Sequence, residues 1–261
     1  MKQQKDVIAG LGEIGQPLYK ILSKSTIVVG YDKKVELMDK KKFSKYCSYN
    51  TEILHICLPY NKFFQKTVLK LEKEFLPEII VIHSTVEPHT TRKLQNKTNT
   101  PIVYSPVRGV HSRKNDDLQP HKKGILYDIK RYVKFYSVYP EIKGSSQAGN
   151  RYSRRLTKCG LKTKKISIPI TLELAKILCD TSYYGWLITY AQLTNTIAMQ
   201  NNVDYDEMWT FAEEIHKFLG NRPKMYPGII GGHCIIPNLE LINNDVLNLI
   251  KKINQKYKLK I

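Results

Sequence analysis

The sequence predicts an α/β fold, a parallel β-sheet with flanking helices followed by a smaller all-helical domain. Three observations lead there. A glycine-rich turn, Gly10-Leu11-Gly12-Glu13-Ile14-Gly15, joins a short apolar strand to the start of a helix. Strand-like and helix-like segments then alternate as far as Ile168, as a parallel sheet requires, because each crossover must carry the chain back across a face. From Thr171 the pattern changes to long helices, with no proline in 172–200 and Gly185 the only glycine there.

The elements follow in order. Asp6-Val7-Ile8-Ala9 reads as the first strand, and Gln16-Pro17-Leu18-Tyr19-Lys20-Ile21-Leu22 as the helix after the turn. Between them, Gly10 permits a tight turn, Gly12 lets the backbone approach a phosphate, and Gly15 lets helix pack on strand. Thr26–Asp32 is a second strand, and Asp32 falls at the offset of about 20 residues where a carboxylate meets ribose hydroxyls. That pattern selects NAD, although Lys33 and Lys34 come next and suit a 2′-phosphate. Glu52–Leu58 is a strand stopped by Pro59, Asn61–Phe75 has helical spacing, and Glu78–Ser84, Pro101–Tyr104, Lys134–Val138 and Lys164–Ile168 read as further strands. Gly10, Gly12, Glu13, Ile14, Gly15, Asp32, Pro59, Ser84 and Thr85 are the expected cofactor-binding residues. The polar stretch around Arg108–Gly124 suits a loop at the ligand edge of the sheet. A Rossmann-type NAD-binding domain is therefore expected over 1–168, and a helical domain over 169–261.

Composition narrows the class. With 261 residues and 42% of them hydrophobic, the chain can bury a core. No apolar run approaches the ~20 residues that span a bilayer, and no signal-peptide core precedes the first strand, so a cytoplasmic protein is expected. The formal charge of +19 admits nucleic-acid binding through runs such as Lys40-Lys41-Lys42, Arg151 with Arg154-Arg155, and Lys162 with Lys164-Lys165. These cations are spread over several elements, and a solvated basic surface that attracts anionic substrates is the preferred reading.

The five cysteines are scattered and show no metal-like pairing. Cys57, within an apolar strand, and Cys179, within a helix, are expected to be inert buried thiols. Cys234 differs, because Gly231-Gly232-His233-Cys234 presents it on a glycine turn where a substrate carbonyl can reach a thiolate. His233 beside it can help to hold a thiolate, but is more commonly a plain hydrogen-bonding residue.

Four blocks in order resemble the nucleotide-sugar dehydrogenases, the family of UDP-glucose, UDP-N-acetylmannosamine and GDP-mannose dehydrogenases. They are Gly10–Gly15; Ser84-Thr85-Val86-Glu87-Pro88-His89-Thr90-Thr91, similar to the family's Ser-Thr-x-x-Pro-Gly-Thr-Thr; Glu173-Leu174-Ala175-Lys176 with Asn195 on one long helix, Thr171–Gln200; and Gly231–Cys234. Ser105-Pro106 sits where the family has a Ser-Pro-Glu loop. The resemblance implies oxidation of a sugar's primary alcohol to a carboxylate with two NAD in succession: an aldehyde forms, Cys234 adds to it, a thioester follows, and water releases the acid. It implies that Lys176 places positive charge near the developing oxyanion, that Thr85 and Asn195 position cofactor, substrate or water, and that the long helix pairs two subunits in a homodimer. Read alone, Lys176 would be a solvated helix lysine, and its company with Cys234 reverses that reading; Thr85 can equally serve as a cap for the following helix.

The departures matter as much. His111 stands where the family has a glutamate and can exchange a proton at neutral pH, while Val107 replaces another. Asp180 replaces the family's asparagine four residues after the lysine, and Asn238 replaces its aspartate four after the cysteine, so the acid is relocated. The family's third domain, which holds the nucleotide of the sugar donor, has no counterpart before Ile261, where the chain closes on a helix-like segment, Asn244–Tyr257. Expected ligands are therefore a sugar nucleotide or a smaller hydroxy substrate. The alternative is a noncatalytic or substrate-altered NAD-binding relative that has lost nucleotide-sugar recognition.

Overall fold

The computed structural model describes residues 3–109, 124–218, 225–231 and 235–259. In chain order the elements are β1 (Gln4–Ala9), α1 (Gly15–Leu22), β2 (Val28–Tyr31), α2 (Lys40–Lys45), β3 (Asn50–Ile56), α3 (Phe64–Phe75), β4 (Ile79–Ile82), α4 (Thr90–Gln95), β5 (Ile102–Tyr104), α5 (Gly124–Arg131), β6 (Lys134–Tyr136), α6 (Ser145–Lys158), β7 (Thr163–Lys165), α7 (Pro169–Ala175), α8 (Tyr183–Gln200), α9 (Tyr205–Phe218), α10 (Ile235–Leu239) and α11 (Asp245–Lys258). A π-helical stretch, Lys176–Ser182, links α7 to α8. The chain forms two compact units, Met1–Lys176 and Ile177–Ile261.

In the first unit five strands make a wholly parallel sheet in the order β2-β1-β3-β4-β5. Helices cover both faces, which is why the strands read as unbroken apolar runs rather than alternating ones. One face packs Ile8, Val81 and Val103 against Leu18 and Leu22 of α1 and Leu156 of α6; the other packs Leu54, Ile80 and Tyr104 against Phe64 and Val68 of α3 and Leu172 of α7. β6 and β7 form a separate parallel pair, joined to β5 by an antiparallel bridge between Tyr104 and Ser137. The fold is a Rossmann-type parallel sheet followed by helices. In such open sheets ligands sit beyond the carboxyl ends of the strands. Here those ends lead into Gly10, Asp32, Pro59, Ser84 and Ser105.

The second unit is built on Ile188 of α8, Ile235 and Leu239 of α10, Leu247 and Ile250 of α11, and Ile230. Gly185 admits close packing, since a Cβ there would stand 3.0 Å from Ile235. Asn254 of α11 holds the extended 225–231 segment with both ends of its amide: Oδ1 accepts from Ile230 N at 2.8 Å and Nδ2 donates to Ile230 O at 3.0 Å. Gln192 of α8 donates to the same Oδ1 at 2.9 Å and to Gly228 O at 2.8 Å. Among the described residues no helix is long and apolar enough to cross a membrane.

The structure corrects several expectations. The helix expected over Thr171–Gln200 is not uniformly α-helical, because Lys176–Ser182 widens to π geometry, a feature common at functional sites. Cys179 lies in that stretch and is exposed, not buried. The last strand is Thr163–Lys165 instead of Lys164–Ile168, because Pro169 opens α7 and Ile168 serves as its N-cap. Thr85 does not cap a helix, since α4 begins only at Thr90. The Arg151 and Arg155 pair is not part of a solvated basic surface: both lie on α6 and make ion pairs, Arg151 with Glu52 and Glu78, Arg155 with Asp6 and Glu52.

Candidate functional site

The glycine turn is built by contacts that leave no alternative residue at two of its positions. Gly10 has φ +95°, and a Cβ on Gly15 would stand 1.7 Å from the Gly10 carbonyl oxygen. Gly12 is the opposite case: a Cβ there would meet nothing within 4 Å, so the turn opens onto free space above the start of α1. That helix has no side-chain cap and no acidic residue in its first turn, so no side chain of its own compensates the positive end of its dipole, which favours an anion there. Asp32 braces the turn. Its Oδ2 accepts from Leu11 N at 2.7 Å and its Oδ1 from Lys34 N at 2.9 Å. One acceptor direction on each oxygen is used by backbone, and one remains for a hydroxyl pair.

The neighbouring strand ends are tied to this turn. Cys57 N donates to Ala9 O at 2.8 Å, and Ser84 Oγ donates to Leu58 O at 2.5 Å, beside Pro59. Ser84 and Thr85 are half-buried at the end of β4. The remainder of the Ser84–Thr91 block has a structural role. The fully buried Glu173 of α7 accepts from His89 N at 2.7 Å, Thr91 N at 2.9 Å and Thr91 Oγ1 at 2.6 Å, satisfying the first amides of α4. His89 occupies the left-handed region at φ +68°, where the resembled family has glycine.

Lys176 is the C-cap of α7, half-buried, and its charge acts on the buried Lys134. Burial first, then the charges of Lys176 and Arg108, hold the Lys134 pKa well below its usual value, with Cys57 opposing. The Lys134 amine donates to the carbonyls of Ser105 at 2.6 Å and Pro106 at 2.8 Å, pinning the Ser-Pro turn. Burial pushes the Cys57 thiol up to about 12, as expected of an inert cysteine.

In the second unit Asn195 donates from Nδ2 to Tyr257 Oη at 2.8 Å, which ties α8 to α11. Asp180 lies in the π-helical stretch and Asn238 is half-buried on α10. Cys234, His233 and Gly232 lie outside the described residues, as does His111. The described lead-in to the cysteine, through Ile230 and Gly231, is the segment that Asn254 grips. Sequence reasoning passed over Glu173's capping role, the π stretch and a buried polar row, Asp6, His55 and His83. The visible signal for the row was a titratable residue within or ending three apolar strands.

Comparison with known proteins gives the same architecture. No family model matches the chain, and no curated protein matches it by sequence. Among solved structures, the UDP-N-acetyl-mannosamine dehydrogenase Cap5O from Staphylococcus aureus is similar at 19% identity and a TM-score of 0.66, over 97% of this chain and 68% of that one. A UDP-glucose dehydrogenase from the archaeon Pyrobaculum islandicum matches at 12% identity and a TM-score of 0.67, over 98% and 68%. A 3-hydroxyisobutyrate dehydrogenase from Mycobacterium tuberculosis, solved with L-serine, matches at 13% identity and a TM-score of 0.65, over 98% and 94%. At such identities the likeness is one of fold.

Proposed function

We propose that this chain is an NAD-dependent oxidoreductase that acts on a hydroxyl-bearing anionic substrate, a nucleotide sugar in the first instance. The observation that carries the reading is the turn itself: Gly12 faces open space, the α1 N-terminus lacks a side-chain cap, and Asp32 is held against Leu11 with acceptor capacity to spare. In the reading, the amides of Gly12, Glu13 and Ile14 hold the pyrophosphate, Asp32 holds the ribose hydroxyls, and Pro59, Ser84 and Thr85 border the cofactor. NAD, when bound, supplies the hydride acceptor for both oxidation steps.

The chain's own residues would do the rest, with roles carried over from the family resemblance. The Cys234 sulfur adds to the carbonyl carbon of an aldehyde, and its proton passes to a base, for which His111 is the candidate. Lys176 stabilises negative charge on the oxygen, Asn195 and Thr85 orient the reacting groups, and Asp180 and Asn238 supply one acid and one amide. The functional division proposed is 1–168 for the cofactor and 169–261 for the helical domain, with α7 the helical segment that packs on the sheet. A homodimer completes the reading: α8 exposes Tyr190, Leu193 and Ile197, and α9 exposes Phe211, Ile215 and Phe218, each set on one helix face.

A second substrate class, a small hydroxy acid, is suggested by the likeness of fold to the 3-hydroxyisobutyrate dehydrogenase. Formation of NADH, followed at 340 nm across a panel of nucleotide sugars and simple hydroxy acids, separates the readings. Two NADH per nucleotide sugar, abolished by Cys234→Ser, supports the first. One NADH per hydroxy acid, unaffected by Cys234→Ser, supports the second, and no turnover with NAD bound supports a noncatalytic relative.

A further inference from the structure

Arg92, Arg108, Arg151 and Arg155 are all half-buried, and three of the four are compensated by carboxylates. Arg92 pairs with Glu141, Arg151 with Glu52 and Glu78, and Arg155 with Asp6 and Glu52. Arg108 is the exception: among the described residues it pairs with no acid, and its hydrogen bond runs from Nη2 to Val133 O at 2.7 Å. That contact uses one of the five N–H donors of a guanidinium. The group also lies against aromatic rings, its Cζ 4.6 Å from the Phe135 centroid and 5.8 Å from that of Tyr132.

The turn that carries Arg108 is clasped from both sides. Lys134 donates to the Ser105 and Pro106 carbonyls, the Ser105 hydroxyl donates to Phe135 O at 2.6 Å, and Arg108 returns the contact through Val133 O. The antiparallel bridge between Tyr104 and Ser137 sets the start of β6 beside the end of β5, so the clasp lies at the carboxyl edge of the sheet, where ligands sit in such folds. An arginine held in this way has already given up the rotamer freedom that a solvated one keeps, so its donors are preorganised. The turn itself supplies no counter-charge, since Val107 is buried and apolar. Positive charge accumulates instead: Lys134 is buried, and after burial itself the charges of Lys176 and Arg108 hold its pKa well below the usual value. Asp128 of α5 approaches the turn at Gly109 but makes no ion pair with Arg108.

We propose that Arg108 is a substrate-recognition residue that binds an oxyanion, a carboxylate or phosphoryl group, carried by the molecule whose hydroxyl is oxidised. This rests on the reading of the strand ends as the active edge of an oxidoreductase, and it adds the group that is recognised there. A guanidinium fork can meet two oxygens of one carboxylate or phosphate, and an unpaired, immobilised arginine offers such a group donors that no internal acid has taken. Lys134 strengthens the field from beneath the turn, with its amine engaged by two main-chain carbonyls. Fixing the anionic end of a substrate orients the rest of it for hydride transfer.

The test reads Arg108 itself rather than turnover. On the full chain labelled with ¹⁵N-arginine, the Nε–Hε correlations are followed while glycolate, inorganic phosphate or ethylene glycol is added at constant ionic strength, with and without NAD. The Arg108→Lys variant assigns the Arg108 signal by its loss. The expected result is a saturable shift of that signal with glycolate or phosphate and none with ethylene glycol, which has the same carbon frame without the anion. A response to glycolate alone assigns a carboxylate, and a response to phosphate alone a phosphoryl group. Calorimetric affinity for the effective oxyanion should fall at least about tenfold in Arg108→Met and by less in Arg108→Lys, which keeps the charge and loses the fork. An Arg108 signal that moves no more than that of exposed Arg154, or an affinity unchanged in Arg108→Met, overturns the proposal. If Arg108→Met does not fold, the wild-type signal and the Arg108→Lys affinity decide. The oxidoreductase reading fails separately: oxyanion binding at Arg108 without NADH from any substrate removes that reading and leaves this site standing. NADH formation with a KM indifferent to Arg108→Lys and a silent Arg108 signal removes this site alone.

Discussion

In the first unit β4 hides all four of its residues, whereas in the second α9 hides none of its own. The sheet unit even buries charge, and compensates it with partners: Asp6 with Arg155, and Glu173 with three donors at the start of α4. The helical unit leaves Phe211 at 89% and Phe218 at 88% exposure, with Tyr190 and Ile197 also uncovered. The contrast separates a region that buries its strands and pairs its buried charges from one that leaves a helix's apolar side chains uncovered.

The sharpest way to break the first half of that contrast is within the glycine turn. Gly15→Ala drives a methyl to 1.7 Å from the Gly10 carbonyl and should cost on the order of 3 kcal/mol or more in urea denaturation. Gly12→Ala, three residues earlier, meets nothing and should change stability by less than about 0.5 kcal/mol while weakening dinucleotide binding. Equal effects of the two changes would remove the distinction between a packing glycine and a ligand-facing one.

Acid is the next largest perturbation. The folded His83 pKa lies well below 6.5, so the unfolded chain binds the extra proton first. Stability from this group is complete above about pH 6.5 and declines as the pH falls toward the folded value. The urea midpoint should drop between pH 7 and pH 5, and the drop should be smaller in a His83→Gln variant that folds. Identical pH profiles would show that other groups govern acid lability.

A smaller effect of opposite sign is expected at His89, whose φ of +68° is unfavourable for a side chain with a Cβ. His89→Gly should raise stability by about 0.5–1 kcal/mol, because Glu173 bonds only the backbone there. The smallest stability change belongs to the helical unit. Phe211→Asp with Phe218→Asp should alter the unfolding midpoint by no more than about 0.5 kcal/mol yet turn a dimer into a monomer in sedimentation. A protein monomeric to begin with would show that the exposed stripe serves another purpose.

How much was legible in the chain follows the same division. The parallel sheet could be read because its strands centre on short apolar runs bounded by turn residues, and the turn because Gly10 and Gly15 each have a steric duty. Asp32 follows the second strand as read, and its carboxylate braces the glycine turn through Leu11 N. What stayed hidden depends on contacts distant in sequence: Glu173 is a cap only because α7 folds onto α4, 82 residues away at Thr91. Arg151 and Arg155 looked like solvated charges until α6 brought them to Asp6, Glu52 and Glu78. The π stretch escaped because nothing in Lys176–Ser182 breaks a helix by propensity, and the exposure of Cys179 depends on which face that stretch turns outward. α6 went unread although Ala148, Tyr152 and Leu156 recur in it at helical spacing.

The central claim, that the Gly10–Gly15 turn and Asp32 form a dinucleotide site, is tested most directly by calorimetric titration of the protein with NAD and with NADP at one ionic strength. With Asp32 at the ribose, as proposed, its carboxylate would repel a 2′-phosphate, so NAD is expected to bind at least about tenfold more tightly, a difference of about 1.4 kcal/mol. Neutralising that charge with Asp32→Asn should narrow the gap. NADP binding as tight as NAD, or no heat with either, would contradict the account.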